Sequence, residues 1–211
     1  MKILLAFDPG SSCGYAVASV DELTRSATLI HYGIIEPKSS TYVGDSSIDL
    51  MQQVKDIIIK YGAQEVSLED YFASSKFASG TDLNYYYRGA IQIQVRSMGL
   101  HYEMLNISNW KVFVAGRSMP TKEQKIKYGK APAKKIMIQE ALWNRFNIRF
   151  PNHSISPTTG KPIQFRMDSV DAVGQLFYFC NLRYNIINFT STVAIPPDVE
   201  FKRVNKKQFQ Y

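Results

Sequence analysis

Four carboxylates in this chain are spaced as they would be around metal ions. Asp8 ends an apolar strand that starts near Ile3, and Glu69 ends a second short strand. Asp168 and Asp171 are three residues apart, which puts them on one face of a helix. Oxygen ligands without His or Cys suit Mg²⁺ or Mn²⁺. The set indicates a divalent metal site, although Asp8 alone fits a turn cap and the helical pair alone fits compensation of a helix dipole.

The elements before residue 70 must bring the first two carboxylates together. Three strands in succession, near residues 3–7, 15–18 and 28–35, predict an antiparallel meander. A helix capped by one of residues 45–47 and stopped by Gly62 then leads to a strand over 65–69. A strand reached through a helix is expected to run parallel to an earlier one, and ligand sites gather beyond the strands' carboxyl ends. We therefore expect Asp8 and Glu69 to be neighbours.

The second half of the chain is expected to hold a helix over 80–98, a strand over 100–106 and a short helix over 110–114. A long basic loop, a helix over 133–146, a polar loop over 151–162 and a last helix from Met167 to about Tyr184 follow. Lys134 and Lys135 would occupy the first turn of the helix over 133–146, where cations oppose the dipole. A negative group is therefore expected close to them.

Composition places the chain among ordinary globular proteins. It has 211 residues, of which 45% are hydrophobic and 20% charged, so one folded core is expected. With only Cys13 and Cys180 and three scattered histidines, neither a disulfide framework nor a zinc site is indicated. No apolar run approaches the roughly 18 residues of a membrane span. Since no signal peptide is recognisable either, the sequence predicts a cytoplasmic protein without membrane contact.

The net charge of +7 is concentrated in two segments. Residues 111–135 hold eight basic side chains and one acidic one, and the last eleven residues hold four basic side chains and no acidic one. The rest of the chain is therefore acidic overall. A basic patch on such a body is the electrostatic signature of a polyanion binder, which favours nucleic acid over a merely solvated face.

Three segments together resemble the acidic motifs of RuvC-type Holliday junction resolvases. They are residues 5–10 with Gly14, residues 68–72 and residues 167–172, and their order and spacing match across roughly residues 3 to 183. The likeness is strongest to resolvases of bacteriophages. It implies a ribonuclease H-like α/β fold over residues 1–183, in which helices cover both faces of a mixed five-stranded sheet with an antiparallel meander. Residues 184–211 would form a basic C-terminal extension, and both this extension and residues 147–166 lie outside the family pattern.

The resemblance also implies an activity and roles for individual residues. The protein would be a homodimer that cuts a four-way DNA junction symmetrically in bacterial or phage-infected cytoplasm. Asp8, Glu69, Asp168 and Asp171 would hold two Mg²⁺ ions per active site, or Mn²⁺ in their place. A lysine near the scissile phosphate would be Lys130, Lys134 or Lys135, of which we assign Lys134 to catalysis. Phe72 would stack at the junction centre, and the expected DNA-binding residues are Tyr71, Phe72, Lys76, Arg117, Lys122, Lys125, Lys127, Lys130 and Lys135.

Other functions are compatible with parts of this pattern. A broader ribonuclease H-like nuclease for branched DNA or RNA/DNA hybrids would need the same carboxylates, because the metal site does not specify a four-way junction. A non-catalytic junction-binding protein would be expected to have lost at least one of the four acids. An ATP-binding protein of the actin and sugar-kinase type would need a second phosphate loop and a longer chain, neither of which the sequence contains.

Overall fold

The computed structural model describes residues 1–10, 12–38, 40–70, 78–151, 153–155, 162–165 and 167–197. The strands in these residues are β1 (Lys2–Asp8), β2 (Cys13–Asp21), β3 (Ser26–Ile35), β4 (Glu65–Asp70), β5 (His101–Asn106), β6 (His153–Ile155), β7 (Pro162–Gln164) and β8 (Asn188–Ser191). The helices are α1 (Val43–Tyr61), α2 (Ala78–Ser97), α3 (Ile107–Ala115), α4 (Lys122–Tyr128), α5 (Lys130–Phe146) and α6 (Asp168–Tyr184). None of these helices is long and apolar enough to cross a membrane.

The main sheet has the strand order β5-β4-β1-β2-β3-β8. The pairs β1–β2 and β2–β3 are antiparallel, which confirms the meander, and β4 is parallel to β1 as expected. β5 runs parallel to β4, and β8 runs parallel to β3. Every strand of this sheet except β2 therefore points in the same direction, and five carboxyl ends share one edge.

The expectation of five strands was wrong, because the sheet has six. The additional strand, β8, has the sequence Asn-Phe-Thr-Ser, which lacks the apolar run or alternation that identifies a strand. It pairs with β3 at the edge of the sheet, where Thr28 and Thr190 join their hydroxyls at 3.1 Å. β8 belongs to the segment that was assigned to the basic extension, so the sheet continues past residue 183.

Helices cover both faces of the sheet, as expected. One core cluster includes Leu5 and Phe7 of β1 and residues of α1 and α2, and the other includes Leu4 and Ala6 and residues of α3, α5 and α6. Successive side chains of a strand point to opposite faces. Asp8 therefore continues the series of Leu4 and Ala6 onto the face that α6 covers.

Three expectations about helices and loops were wrong. The basic segment is largely helical: Thr121 begins α4 with a capping box to Gln124, and Gly129 separates α4 from α5 with a φ of 83°. Pro132 lies in the first turn of α5, where a missing N–H breaks no helical hydrogen bond. α1 begins two residues earlier than its expected cap, with Tyr42 at the N-cap. The polar segment after residue 151 contains a small hairpin of β6 and β7.

Candidate active site

The structure brings the four predicted carboxylates to one edge of the sheet. Phe7 pairs with Leu68 between the parallel strands β1 and β4, so the next residues, Asp8 and Glu69, follow side by side. Ser67 of β4 accepts a buried hydrogen bond of 3.1 Å from Gln175 of α6, which shows that α6 covers this side of both strands. The first turn of α6 carries Asp168 and Asp171. Strand ends and helix start therefore converge as the sequence predicted.

Among the described residues, Ser12 and Lys135 each donate a hydrogen bond to Asp168. The hydroxyl of Ser12 donates to Oδ2 of Asp168 at 3.1 Å, and the ammonium of Lys135 donates to Oδ1. The same ammonium lies 4.0 Å from Oδ2 of Asp171. Although burial lowers it, the carboxylates of Asp171 and Asp168 raise the pKa of Lys135 above its ordinary value. Lys135 therefore stays charged and carries the positive charge of α5 into the site.

Lys135 is one of the three lysines considered for the position near the scissile phosphate, and the structure places it against two of the carboxylates. α5 begins at Lys130, so Lys134 and Lys135 lie in its second turn and not in its first. Lys134 is exposed, whereas Lys135 is half-buried against the carboxylates. The negative group expected near these lysines is Asp168. The catalytic role assigned to Lys134 stays a prediction, but the contacts described above belong to Lys135.

Negative charge is in excess at the centre of the site. Burial, followed by the charges of Glu69 and Asp171, raises the pKa of Asp8 well above its ordinary value. Burial also raises the pKa of Asp171 to about 6, against the opposing effect of Lys111 and Lys135. Oδ1 of Asp171 is buried with no hydrogen-bond partner among the described residues. A buried carboxylate oxygen without a donor is costly, and a cation would remove that cost.

Three contributors to the site were not identified from the sequence as site residues. Ser12 contacts Asp168, Lys111 acts electrostatically on Asp8 and Asp171, and Trp110 donates from Nε1 to Oε1 of Glu69 at 3.1 Å. Trp110 and Lys111 lie in α3, which begins directly at the end of β5. The signal that the sequence offered for Trp110 and Lys111 was their position in a helix that directly follows a strand ending at this edge of the sheet.

The donor set fits a hard divalent cation. Within the described part of the chain, no three Asp, Glu, His or Cys side chains already surround one point as they would a bound metal. Asp168 and Asp171 instead share Lys135, and Oδ1 of Asp171 has no donor among the described residues. The four carboxylates at this edge are oxygen donors, which suit Mg²⁺, Mn²⁺ or Ca²⁺.

The expected DNA-binding residues fall into two groups. Tyr71, Phe72 and Lys76 lie outside the described residues, so their roles stay predictions. Apart from Lys135, the others lie between α3 and the first residue of α5, where Lys122, Lys127 and Lys130 are exposed and Arg117 donates to Gln124 at 3.3 Å. Lys125 is partly exposed in the last turn of α4. These basic residues therefore follow α3, lie on α4 and begin α5, the helix that carries Lys135.

Comparison with known proteins gives consistent results. Residues 4–130 match the family model of crossover junction endodeoxyribonuclease RuvC. A curated relative, the crossover junction endodeoxyribonuclease RuvC of Lawsonia intracellularis (strain PHE/MN1-00), is 26% identical over 125 residues, which span 59% of this chain and 73% of the relative. The matched family segment ends before Lys135, Asp168 and Asp171, so the roles of these three residues depend on the structure.

Solved structures extend the similarity beyond the matched segment. Thermus thermophilus RuvC is 14% identical with a TM-score of 0.55 and covers 87% of this chain and 97% of its own. The structure of T. thermophilus RuvC in complex with a Holliday junction substrate is 15% identical with a TM-score of 0.57 and covers 85% of this chain and 96% of its own. These similarities confirm the ribonuclease H-like fold. They do not test the expected likeness to bacteriophage resolvases, which stays a prediction. The family match over more than half of the chain shows that this protein belongs to the crossover junction endodeoxyribonuclease RuvC family.

Proposed function

We propose that this protein resolves four-way DNA junctions by metal-dependent hydrolysis of two symmetrically placed phosphodiester bonds. The observation that carries the proposal is the convergence of Asp8, Glu69, Asp168 and Asp171 on the edge of the sheet, with a buried oxygen of Asp171 left without a donor. Membership of the RuvC family gives this arrangement a substrate class.

The four carboxylates would hold Mg²⁺, with two ions per site, and Mn²⁺ would serve in its place. Divalent ions bound there would activate a water and stabilise the leaving 3′ oxygen of an in-line displacement. Asp8 lies next to Glu69 and is electrostatically coupled to Asp171, so its buried carboxylate would be a central ligand of this set. The raised pKa values of Asp8 and Asp171 match this role, because charges that repel one another in the free protein would be compensated in the loaded one.

Lys135 and Lys111 would contribute positive charge that remains when the carboxylates are neutralised by metal. Lys135 lies between Asp168 and Asp171, and Lys111 approaches Asp8 and Asp171 from α3. Fixed cations next to a phosphate stabilise the charge that develops during its displacement. We assign the contact with the scissile phosphate to Lys135 in place of Lys134, because Lys135 reaches the carboxylates while Lys134 is exposed. Ser12 would keep Asp168 oriented when Lys135 turns to the DNA.

DNA would lie along the basic surface formed by Arg117, Lys122, Lys125, Lys127 and Lys130. Each lysine that meets a phosphate releases counterions, so binding is expected to depend steeply on salt. Two symmetric cuts need two sites in fixed relation, which a homodimer supplies. Stacking of Phe72 and Tyr71 at the junction centre, the boundary of a basic extension near residue 184 and a cytoplasmic location remain predictions.

The test is cleavage of an end-labelled synthetic four-way junction by the purified full chain. Matched linear duplex, flap and RNA/DNA hybrid substrates share its arm sequences, and each reaction is run with Mg²⁺, with Mn²⁺ and with EDTA. Paired symmetric nicks in the junction alone, lost in EDTA, are expected. Equal cutting of the other substrates would replace the proposal with a broader nuclease, and tight junction binding without cleavage would replace it with a binding protein.

A further inference from the structure

Trp110 is completely buried, yet its one polar atom points at the candidate metal site. Its indole Nε1 donates to Oε1 of Glu69 at 3.1 Å. β4 places the backbone of Glu69, whereas the direction of its carboxylate depends on rotatable side-chain bonds. The hydrogen bond from α3 therefore constrains the part of Glu69 that its own strand leaves free.

The position of the indole is set by its neighbours. A Cβ added at Gly174 of α6 would lie 3.0 Å from Cζ3 of Trp110 and 3.4 Å from its Cε3. The same Cβ would lie 3.3 Å from Cγ2 of Ile138 in α5, so the ring fills a space that exists because residue 174 has no side chain. On the polar side, the ammonium of Lys111 lies 4.9 Å from the centre of an indole ring of Trp110. The ring of this α3 residue thus packs against α6 in the core cluster that also contains Ile138 of α5, and its N–H has a defined direction.

We propose that Trp110 is a positioning residue that orients Glu69 for the divalent metal. This inference depends on the proposed function, in which Glu69 is a metal ligand. A carboxylate has two oxygens with about four acceptor positions, so one N–H on Oε1 leaves Oε2 and part of Oε1 for a cation. The indole N–H donates without accepting, so it holds one oxygen and does not compete for the metal. Groups that orient a ligand typically change metal affinity by about 10–100-fold when they are removed.

A purely structural role predicts different behaviour. A buried indole needs a hydrogen-bond acceptor, and Glu69 could serve only as that acceptor. Replacing the tryptophan would then lower thermal stability and leave the affinity for metal unchanged. Metal binding by the DNA-free protein separates the two roles, because it is measured without any catalytic step.

The experiment measures Mn²⁺ binding to the full chain by calorimetry for Trp110→Phe, which keeps an aromatic ring but removes the donor. Trp143→Phe is the matched control, because Trp143 is exposed and packs against Arg149. Glu69→Gln and the variant that carries both Trp110→Phe and Glu69→Gln complete a double-mutant cycle. We expect Trp110→Phe to weaken Mn²⁺ binding about tenfold and to raise the Mg²⁺ concentration for half-maximal junction cleavage. Junction affinity in EDTA should stay at the wild-type value, and Trp143→Phe should change nothing.

The cycle identifies which statement fails. If Trp110 acts through Glu69, Trp110→Phe weakens binding in the wild type but adds nothing in the Glu69→Gln background. Wild-type Mn²⁺ affinity in folded Trp110→Phe, or an equal loss in both backgrounds, would overturn the inference and leave the proposed function standing. Unchanged Mn²⁺ binding by Glu69→Gln would instead remove the proposed metal role of Glu69.

A second variant covers the case in which Trp110→Phe does not fold. Gly174→Ala keeps the indole but pushes it by a few tenths of an ångström, because its Cβ would stand 3.0 Å from the ring. We expect weaker Mn²⁺ binding in this variant too, with the helical circular dichroism of the wild type. Folded Gly174→Ala with wild-type Mn²⁺ affinity would contradict the role of Trp110.

Discussion

Gly14 in β2 lies directly against the backbone of Asp168, so that a Cβ at position 14 would stand 2.2 Å from the carbonyl oxygen of Asp168 and 2.6 Å from its carbonyl carbon. Gly14 also pairs with Asp8 across the β1–β2 ladder. A glycine facing Asp8 therefore lets the first turn of α6 approach the end of β1. Gly14 is therefore a strand residue whose missing side chain permits this close approach.

The first prediction is that Gly14→Ala displaces the start of α6 and disables the site. Backbone atoms cannot yield as a flexible side chain can, so we expect a loss of about 1–3 kcal/mol in the free energy of unfolding. Junction cleavage should fall by at least about a hundredfold, because the reaction needs Asp168 and Asp171 of α6 at the correct distance from Asp8 of β1. Urea denaturation and single-turnover cleavage measure the two effects.

Gly44→Ala is the control for this substitution. Gly44 lies in the first turn of α1, and a Cβ there would meet nothing within 4 Å. Since alanine favours the helix over glycine, stability should be unchanged or rise by up to about 1 kcal/mol, and cleavage should be that of the wild type. Wild-type cleavage by Gly14→Ala would show that the distance between α6 and β1 does not matter for the reaction.

The second prediction separates two adjacent lysines. Lys135 contacts Asp168 and lies 4.0 Å from Asp171, while Lys134 is exposed. We expect Lys135→Met to slow single-turnover cleavage about a hundredfold, as the loss of a positioned donor does, and Lys134→Met to slow it by less than about threefold. Saturating protein and metal keep the comparison free of binding effects. A larger loss in Lys134→Met would restore the catalytic role that the sequence assigned to Lys134.

The parts of the fold that follow from periodicity could be predicted from the sequence. The apolar run before Asp8 and the parallel crossover to β4 both have short-range signals, and the carboxylates follow from where those elements end. β8 could not be predicted in this way, because four polar or aromatic residues carry no strand pattern of their own and form a strand by pairing with β3. Its existence depends on a partner more than 150 residues earlier in the chain.

The contributions of α3 to the site are of the same kind. When the sequence is considered alone, Trp110 and Lys111 are ordinary residues of a short helix, and no local pattern connects them with the acidic motifs. They reach the site because β5 ends next to β4 and α3 begins directly after it, close to Glu69. The missing side chain of Gly174 leaves the space that the indole fills. Tertiary packing, rather than local pattern, determines which of the eight basic residues in the segment 111–135 reach the carboxylates.

The third prediction concerns the exposed lysines of α4 and the start of α5. Lys122→Gln and Lys130→Gln each remove one positive charge from the surface that we assign to DNA. Each should lower the slope of log affinity against log salt by about 1, without changing the cleavage rate of bound junction. Lys55→Gln is the control, because Lys55 is exposed on α1, which packs against the opposite face of the sheet. If the slope of log affinity against log salt were the same in all three variants, the DNA would have to bind elsewhere on the protein.

The last prediction is that Asp8→Asn abolishes cleavage and at the same time stabilises the metal-free protein. The pKa of Asp8 is raised in the folded state, so folding favours the protonated carboxyl. The penalty on stability is absent below the unfolded pKa near 4, grows as the pH rises toward the folded pKa, and is complete above it. At pH 8 in EDTA the variant should therefore melt about 2–4 °C above the wild type, the shift that 1 kcal/mol produces in a chain of this size, and the gain should vanish near pH 4.

Asp21→Asn is the matched control for Asp8→Asn. Hydrogen bonds from Thr24 and from the Leu23 N–H lower the pKa of Asp21, so that variant should gain no stability and should cleave junctions normally. If Asp8→Asn bound the junction as the wild type does but melted at the same or a lower temperature, the excess of buried negative charge at the site would be disproved.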